Sequence, residues 1–265
     1  MGAHNYSYVF DFEDQFNENE FNRYMREHWT DSFIYSAVYL IIIFGGKHFM
    51  TKRRRFDLRP YLATWSGGLA IFSIFGAIRT VPEIISAITN HSLEYSICDP
   101  SYFEGVTSFW CFLFTVSKVL ELGDTLFIVL RKQPLIFLHW FHHITVLVYV
   151  WYSYPQKMAS GRWFMTMNYT VHSIMYSYYA LRALRVNIPK WVNMGITFLQ
   201  LLQMIMGLLI NILAYRVLDQ GSYCSHSYTN IRYSVLMYCS YFFLFAHFFY
   251  TTYVVQKPKQ HVKDQ

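Results

Sequence analysis

The chain has 265 residues; 54% are hydrophobic, 20% aromatic and only 14% charged. Soluble domains carry about 25% charged residues, so this composition argues against an ordinary water-soluble fold and points to a membrane protein, and the apolar runs below make it an all-α one. The net charge of +6 does not argue for nucleic acid, because Lys and Arg stand in short clusters between apolar runs and form no continuous stripe.

The opening MGAHNYSYVFDFEDQF has neither the basic start nor the apolar stretch of a secretory signal. Gly2 is not a convincing acylation site, since Tyr6 stands where Ser or Thr is wanted. Residues 1–31 form a segment ahead of the first span. Within it, 10–29 mixes Phe10, Phe12, Phe16, Phe21, Tyr24 and Trp29 with acids. That pattern fits an amphipathic helix lying in the membrane interface and fits almost as well an acidic arm without fixed structure.

A spanning helix needs about 20 mainly apolar residues. Seven stretches are predicted to span: 32–50, 61–85, 107–130, 138–154, 163–181, 191–215 and 230–255. Pro82 should kink or stop the second. Residues 32–255 thus form one polytopic unit, followed by the tail 256–265. The first, third and fifth loops and the tail carry the Lys and Arg clusters: Lys52–Arg55 and Arg59, then Arg131 and Lys132, then Arg182, Arg185 and Lys190, then Lys257, Lys259 and Lys263. Residues 86–106 have none, and 155–162 hold Lys157 and Arg162. The positive-inside rule puts the odd loops and C-terminus in the cytosol and the N-terminus across the membrane.

Of four cysteines, Cys111 and Cys239 fall inside spans. Cys98 and Cys224 fall in loops on the non-cytosolic side, which is oxidising in the secretory pathway, so a disulfide between them is expected. Asn5 and Asn90 head sequons on the same side and are the glycosylation candidates; the sequon at Asn168 lies inside a span.

Ionisable groups inside spans are costly and by default mark function. KVLELGDT sets Lys118, Glu121, Asp124 and Thr125 on one broad face. HWFHH sets His139, His142 and His143 at i, i+3 and i+4. NYTVHSIMYSYY carries Asn168, His172, Met175, Tyr176 and Tyr179, and TFLQLLQ carries Thr197, Gln200 and Gln203. Asp124 lies about 10 Å along its helix from Arg131, His172 about 15 Å from Arg182, and Gln203 about 20 Å from Lys190. The four sets therefore share a depth, which predicts one chamber reached from the cytosol. Each set also has a structural reading: Lys118–Glu121 as a buried ion pair, the glutamines as interhelical hydrogen bonds, the tyrosines as interfacial aromatics, His172 as a satisfied core residue.

Three imidazoles on one turn suit either metal or acyl chemistry. HxxHH occurs in membrane di-iron oxygenases, but those need about eight ligands, and the other span histidines are only His172 and His247. A mononuclear zinc site is the remaining metal reading. Alternatively a buried neutral imidazole attacks a thioester and carries the acyl group.

KVLELGDT, FLHWFHH, NYTVHSIMYSYY and TFLQLLQ stand in the order and spacing of the very-long-chain fatty acid elongase (ELO) family, which the chain resembles from the first span to the basic tail. FEDQFNENE and FGGKHFM resemble the branch that extends palmitoyl-type saturated and monounsaturated chains. Two departures stand out: Phe141 replaces a Tyr common before the paired histidines, and the tail HVKDQ lacks a clean double-lysine retrieval signal.

The resemblance implies seven transmembrane helices, six forming a barrel around a closed acyl tunnel in the endoplasmic reticulum membrane. It implies condensation of a long-chain acyl-CoA with malonyl-CoA to 3-oxoacyl-CoA, CoA and CO2. The expected mechanism is ping-pong, with the acyl group held as an acyl-imidazole on His142. His172 would hold the thioester carbonyl or assist proton movement; His139, His143 and Asn168 would orient the imidazoles and stabilise the enolate. Substrate binding would fall to Lys118, Glu121, Asp124, Tyr176, Tyr179, Gln200 and Gln203, with Arg131, Lys132 and Arg182 near the CoA phosphates. For Lys52–Arg55 and Arg59, topology alone is the preferred reading. No metal and no cofactor beyond the two CoA substrates is expected. The cycle's 3-oxoacyl-CoA reductase, dehydratase and enoyl reductase are candidate partners beside membrane lipid, and a homodimer is a candidate assembly. The rival from another class is a seven-span receptor or transporter without enzymatic activity.

Overall fold

A computed structural model describes residues 6–255; the sequon residue Asn5 and the tail 256–265 lie outside the described residues. Among the described residues the regular structure is helical, without strands. Two short N-terminal helices, α1 (Asp11–Asp14) and α2 (Glu18–His28), precede α3 (Asp31–Met50), α4 (Arg59–Asn90) and the short α5 (Leu93–Cys98). There follow α6 (Gly105–Leu120), α7 (Asp124–Leu130), α8 (Phe137–Ser153), α9 (Gly161–Ala183), α10 (Lys190–Asp219) and α11 (Tyr228–Phe249), with a π-type turn at Tyr250–Val254. Each of the seven apolar runs is helical. Four segments are long and apolar enough to cross a membrane: α3, α4, α10 and Tyr228–Val254. The others depart from the pattern because α6 (16 residues) and α8 (17 residues) are short and α9 is interrupted by polar groups.

Two expectations about the runs change. Pro82 does not end its helix: α4 continues to Asn90. The segment beyond the proline is held from the side, where the fully buried Arg162 donates its Nε to both oxygens of Glu83 at 2.9 Å. The third run, continuous in sequence, is divided by a 3-10 turn at Glu121–Gly123. A Cβ on Gly123 would lie 2.8 Å from Trp65 Cζ2, so glycine admits α4 closely here at the expense of helix propensity.

The backbone of the bundle is the antiparallel pair α4/α9. Glu83 meets Arg162, Gly76 meets Tyr169, and Ala70 packs with Met175 and Tyr176. A side chain at Gly76 would collide with the Tyr169 ring, as one at Gly207 would with Tyr238 between α10 and α11. One end of the bundle is heavily tied. Cys98 and Cys224 form a disulfide across 126 residues, Ser225 N donates to Cys98 O (2.9 Å), and Ala159 N donates to Ser225 O (3.1 Å). The side chain of Asn90 donates to Ser86 Oγ at 3.0 Å on an exposed helix end.

The segment 10–29 is largely helical and two-faced, as one of its two readings expected, rather than an arm without fixed structure, and its apolar face docks on the bundle. Glu13 is buried and its Oε2 accepts from Arg79 Nη2 at 2.6 Å; Oε1 accepts from Arg79 Nε (2.9 Å) and Trp110 Nε1 (2.7 Å). Phe16 and Phe21 pack on Phe109 and Phe112, Lys157 Nζ donates to Glu18 Oε2 at 2.6 Å, and Met25 is fully enclosed. Burial alone would raise the Glu13 carboxyl, but hydrogen bonds from Arg79, the Phe10 amide and Trp110 outweigh it and hold the group below its ordinary value of 4.5. A depressed carboxyl contributes stability above its unfolded-state value that is lost as pH falls through the folded one.

Breaking a buried ion pair from one side costs about 3–5 kcal/mol, so Glu13→Ala should lower the unfolding midpoint in detergent sharply at neutral pH. The gap between wild type and Glu13→Ala should close as pH drops below about 4.5. A pH-independent gap would mean that the carboxylate is not the source of the effect.

Candidate active site

The four polar sets converge. A cavity of about 780 Å³ is lined by His139, His142, His143, Asn168, His172, Glu121, Asp124, Tyr176, Tyr179, Gln200, Gln203, Arg131 and Arg182, each singled out in the sequence. Its walls come from α4, the 121–131 stretch, α8, α9, α10 and α11, and α3 contributes none of the lining residues. The cavity extends to the basic end of the bundle, where Arg59, Arg131, Arg182 and Arg185 ring it.

One hydrogen-bond network fixes the wall between α6 and α9. Lys118 (2% exposed) donates to Glu121 Oε1 at 2.6 Å and to Asn168 Oδ1 at 3.0 Å, and Ser117 Oγ donates to the same Glu121 oxygen at 3.1 Å. An ammonium has only donors, so it turns the Asn168 carbonyl toward itself and the amide NH2 toward α9. That NH2 lies 3.0 Å from His172 Nε2, which makes Nε2 an acceptor and leaves the proton on Nδ1. Nδ1 faces Glu121 Oε2 at 3.9 Å. Lys118 does not line the cavity itself; it acts on it through Glu121 and Asn168.

Asp124, expected to share a face with Lys118, has different partners across the 3-10 break. Its Oδ1 accepts from Trp65 Nε1 and its Oδ2 from Tyr176 OH, both at 2.6 Å. The carboxyl thus joins α4, α7 and α9 beside the cavity. Gln200 Nε2 lies 3.3 Å from Met175 Sδ, a weak bond, and Gln203 is buried against the cavity.

The histidines differ from one another. His139 and His143 pack ring to ring at 4.5 Å, and His139 Nε2 lies 2.9 Å from Thr125 Oγ1. His142 lines the cavity with its ring 4.8 Å from that of Tyr241 and 5.6 Å from that of His143. No hydrogen bond among the described residues engages the His142 ring, so a lone pair is free for chemistry. The helix around it is secured from α11: Tyr241 OH lies 2.6 Å from Thr145 Oγ1 and donates to His142 O at 3.3 Å. Among the described residues, no group of three or more His, Cys, Asp or Glu is arranged to hold a metal ion.

The sequence matches the family described as ELO: GNS1/SUR4 family over residues 24–261. The chain belongs to the ELO family. It is 54% identical over 254 residues to a Drosophila melanogaster protein named very long chain fatty acid elongase 6, covering 94% of this chain and 80% of that one. Proteins of the same name from Gallus gallus and Homo sapiens are each 51% identical, the former covering 96% of both chains and the latter 94% of both. The four motifs that carried the resemblance are the ones that meet at this cavity.

Two expected placements change. Lys132 is not on the cavity: it sits at a left-handed turn (φ 53°) and its ammonium donates to Thr51 O at 3.2 Å. Arg59, assigned to topology, is on the cavity rim with Arg185, whereas Lys52–Arg55 are not. Trp65, Tyr241 and Tyr39 were not foreseen. Each is one aromatic among several in its apolar run, and its hydrogen-bond partner lies on another helix.

Lys118→Met should leave Glu121 buried and unpaired and cost about 3–5 kcal/mol, whereas removing both charges costs little. The double variant Lys118→Met/Glu121→Leu should therefore unfold in detergent near wild type. If it stays catalytically dead while stable, the pair serves the cavity as well as the fold; recovered turnover would make the pair purely structural.

Proposed function

We propose that the protein is a 3-oxoacyl-CoA synthase that condenses a long-chain acyl-CoA with malonyl-CoA in the endoplasmic reticulum membrane. The observation that carries this reading is the unengaged His142 ring, which lines the same cavity as His172. The names of the relatives, very long chain fatty acid elongases, support a fatty acyl substrate. In this reading all seven long helical segments cross the membrane, and the six whose residues line the cavity form the barrel. The basic end faces the cytosol and the disulfide end the lumen, where Asn5 and Asn90 are open to glycosylation.

The reaction runs in two halves. His142 attacks the thioester carbonyl; the C–N bond forms, the C–S bond breaks, and the imidazole proton leaves with the thiolate as CoA. Malonyl-CoA then enters and loses CO2, and its enolate carbon attacks the acyl-imidazole. The C–C bond forms, the C–N bond breaks, and the imidazole regains a proton from cytosolic water. Decarboxylation supplies the carbanion, so no strong base is required. His172, with Nε2 accepting from Asn168 and its proton on Nδ1, orients toward Glu121 and holds its place beside the reacting carbonyl. His139 and His143 buttress His142, and preorganised donors on the cavity wall stabilise the developing charge. Tyr176, Tyr179, Gln200 and Gln203 contact the thioester arm, and Arg131 and Arg182 attract the CoA phosphates. The same chamber would suit a transporter, but an imidazole on its wall with a free lone pair favours acyl transfer.

Purified protein given acyl-CoA alone should release one equivalent of CoA and carry the acyl group on the peptide containing His142. Malonyl-CoA should discharge that adduct as 3-oxoacyl-CoA, and His142→Ala should form no adduct. Release only when both substrates are present would rule out the two-stage route.

A further inference from the structure

Beyond the cavity wall, a chain of three hydroxyl and imidazole groups crosses three helices. Tyr39 of α3 is buried, and its OH lies 2.8 Å from Thr125 Oγ1 of α7. Thr125 is fully buried, and its Oγ1 lies 2.9 Å from His139 Nε2 of α8. Thr125 is the only hydrogen-bond partner of the Tyr39 hydroxyl among the described residues. A buried hydroxyl proton without an acceptor is costly, so Tyr39 must donate to Thr125. The single proton of Thr125 then goes on to His139. His139 Nε2 is thereby the acceptor, and the ring carries its proton on Nδ1.

We infer that Tyr39 and Thr125 are positioning residues that lock His139 as the Nδ1–H tautomer. The consequence falls on the reacting imidazole through a short path. The His139 ring packs at 4.5 Å on that of His143, which in turn lies 5.6 Å from that of His142. A ring flip at His139 would exchange a donor for an acceptor next to His143 and disturb the seat of the nucleophile. It also gives α3 a role: this helix contributes nothing to the cavity lining and reaches the site through Tyr39.

The kinetic part of this inference rests on the elongase reading, and the tautomer does not. ¹⁵N-histidine NMR of the purified protein reads the tautomer directly, with the His139 signal assigned by its loss in His139→Asn. The wild type should show Nδ1–H at His139; Thr125→Val should shift it to a mixture or to Nε2–H, and Thr125→Ser should keep it. An Nε2–H signal in the wild type, or an unchanged signal in Thr125→Val, would overturn the inference. In turnover, Tyr39→Phe and Thr125→Val should lower kcat about tenfold, the worth of one neutral hydrogen bond, with KM for both CoA substrates unchanged. Thr125→Ser should recover most of that rate. Equal losses in Thr125→Ser, or losses that track the unfolding midpoint, would mark a packing effect and overturn the positioning role. A wild type with the expected tautomer but no malonyl-CoA-dependent extension would sink the proposed function and leave the tautomer lock standing.

Discussion

A carboxylate held away from water must find its compensating charge close by, and Glu121 finds it three residues upstream in Lys118. Much of the site follows from that pairing. The ammonium has donors left over, and one of them captures the Asn168 carbonyl and so sets which way the amide faces. The amide sets the acceptor nitrogen of His172. The tight turn at Glu121–Gly123 then directs Asp124 away from Lys118 and toward Trp65 and Tyr176. One ion pair thus propagates into the orientation of a histidine on a neighbouring helix. Low dielectric strengthens each link and makes any unpaired member expensive.

The helices divide by task. The longest apolar ones, α3, α4, α10 and α11, bear most of the hydrophobic length. Most of the polar groups that meet at the cavity come from the 121–131 stretch, α8 and α9, which are short, broken or interrupted, with Gln200 and Gln203 added from α10. A segment that carries Lys, Glu, Asp and His cannot face lipid around its whole circumference, so it is enclosed by others. The close antiparallel fit of α4 on α9, which needs glycine at Gly76, is one means of that enclosure.

The helical runs were legible in the sequence because apolar length is a local signal. The cavity was legible because its polar residues recur at helical spacing and at a common depth. The missed features are those whose partners are distant in sequence. Glu13 reads as one acid among several until Arg79, 66 residues away, is brought to it. Tyr39 looks like any interior aromatic until Thr125 is seen beside it. Pro82 carries a real local cost, yet the Arg162–Glu83 clasp holds the helix beyond it. Lys132 is adjacent to Arg131 in sequence, but the left-handed turn between helices sends the two side chains to different places.

The ties are unevenly distributed along the bundle axis. The disulfide, the Arg162–Glu83 clasp and the docked N-terminal helices all gather at one end, while among the described residues the end carrying Arg59, Arg131, Arg182 and Arg185 is tied by hydrogen bonds such as Lys132 to Thr51 O and Phe56 N to Leu130 O. Local opening draws on the least protected regions of a structure, so breathing motions should splay the helices at the arginine rim and pivot about the cross-linked end. A bulky nucleotide-bearing ligand would then come and go without disturbing the floor of the chamber.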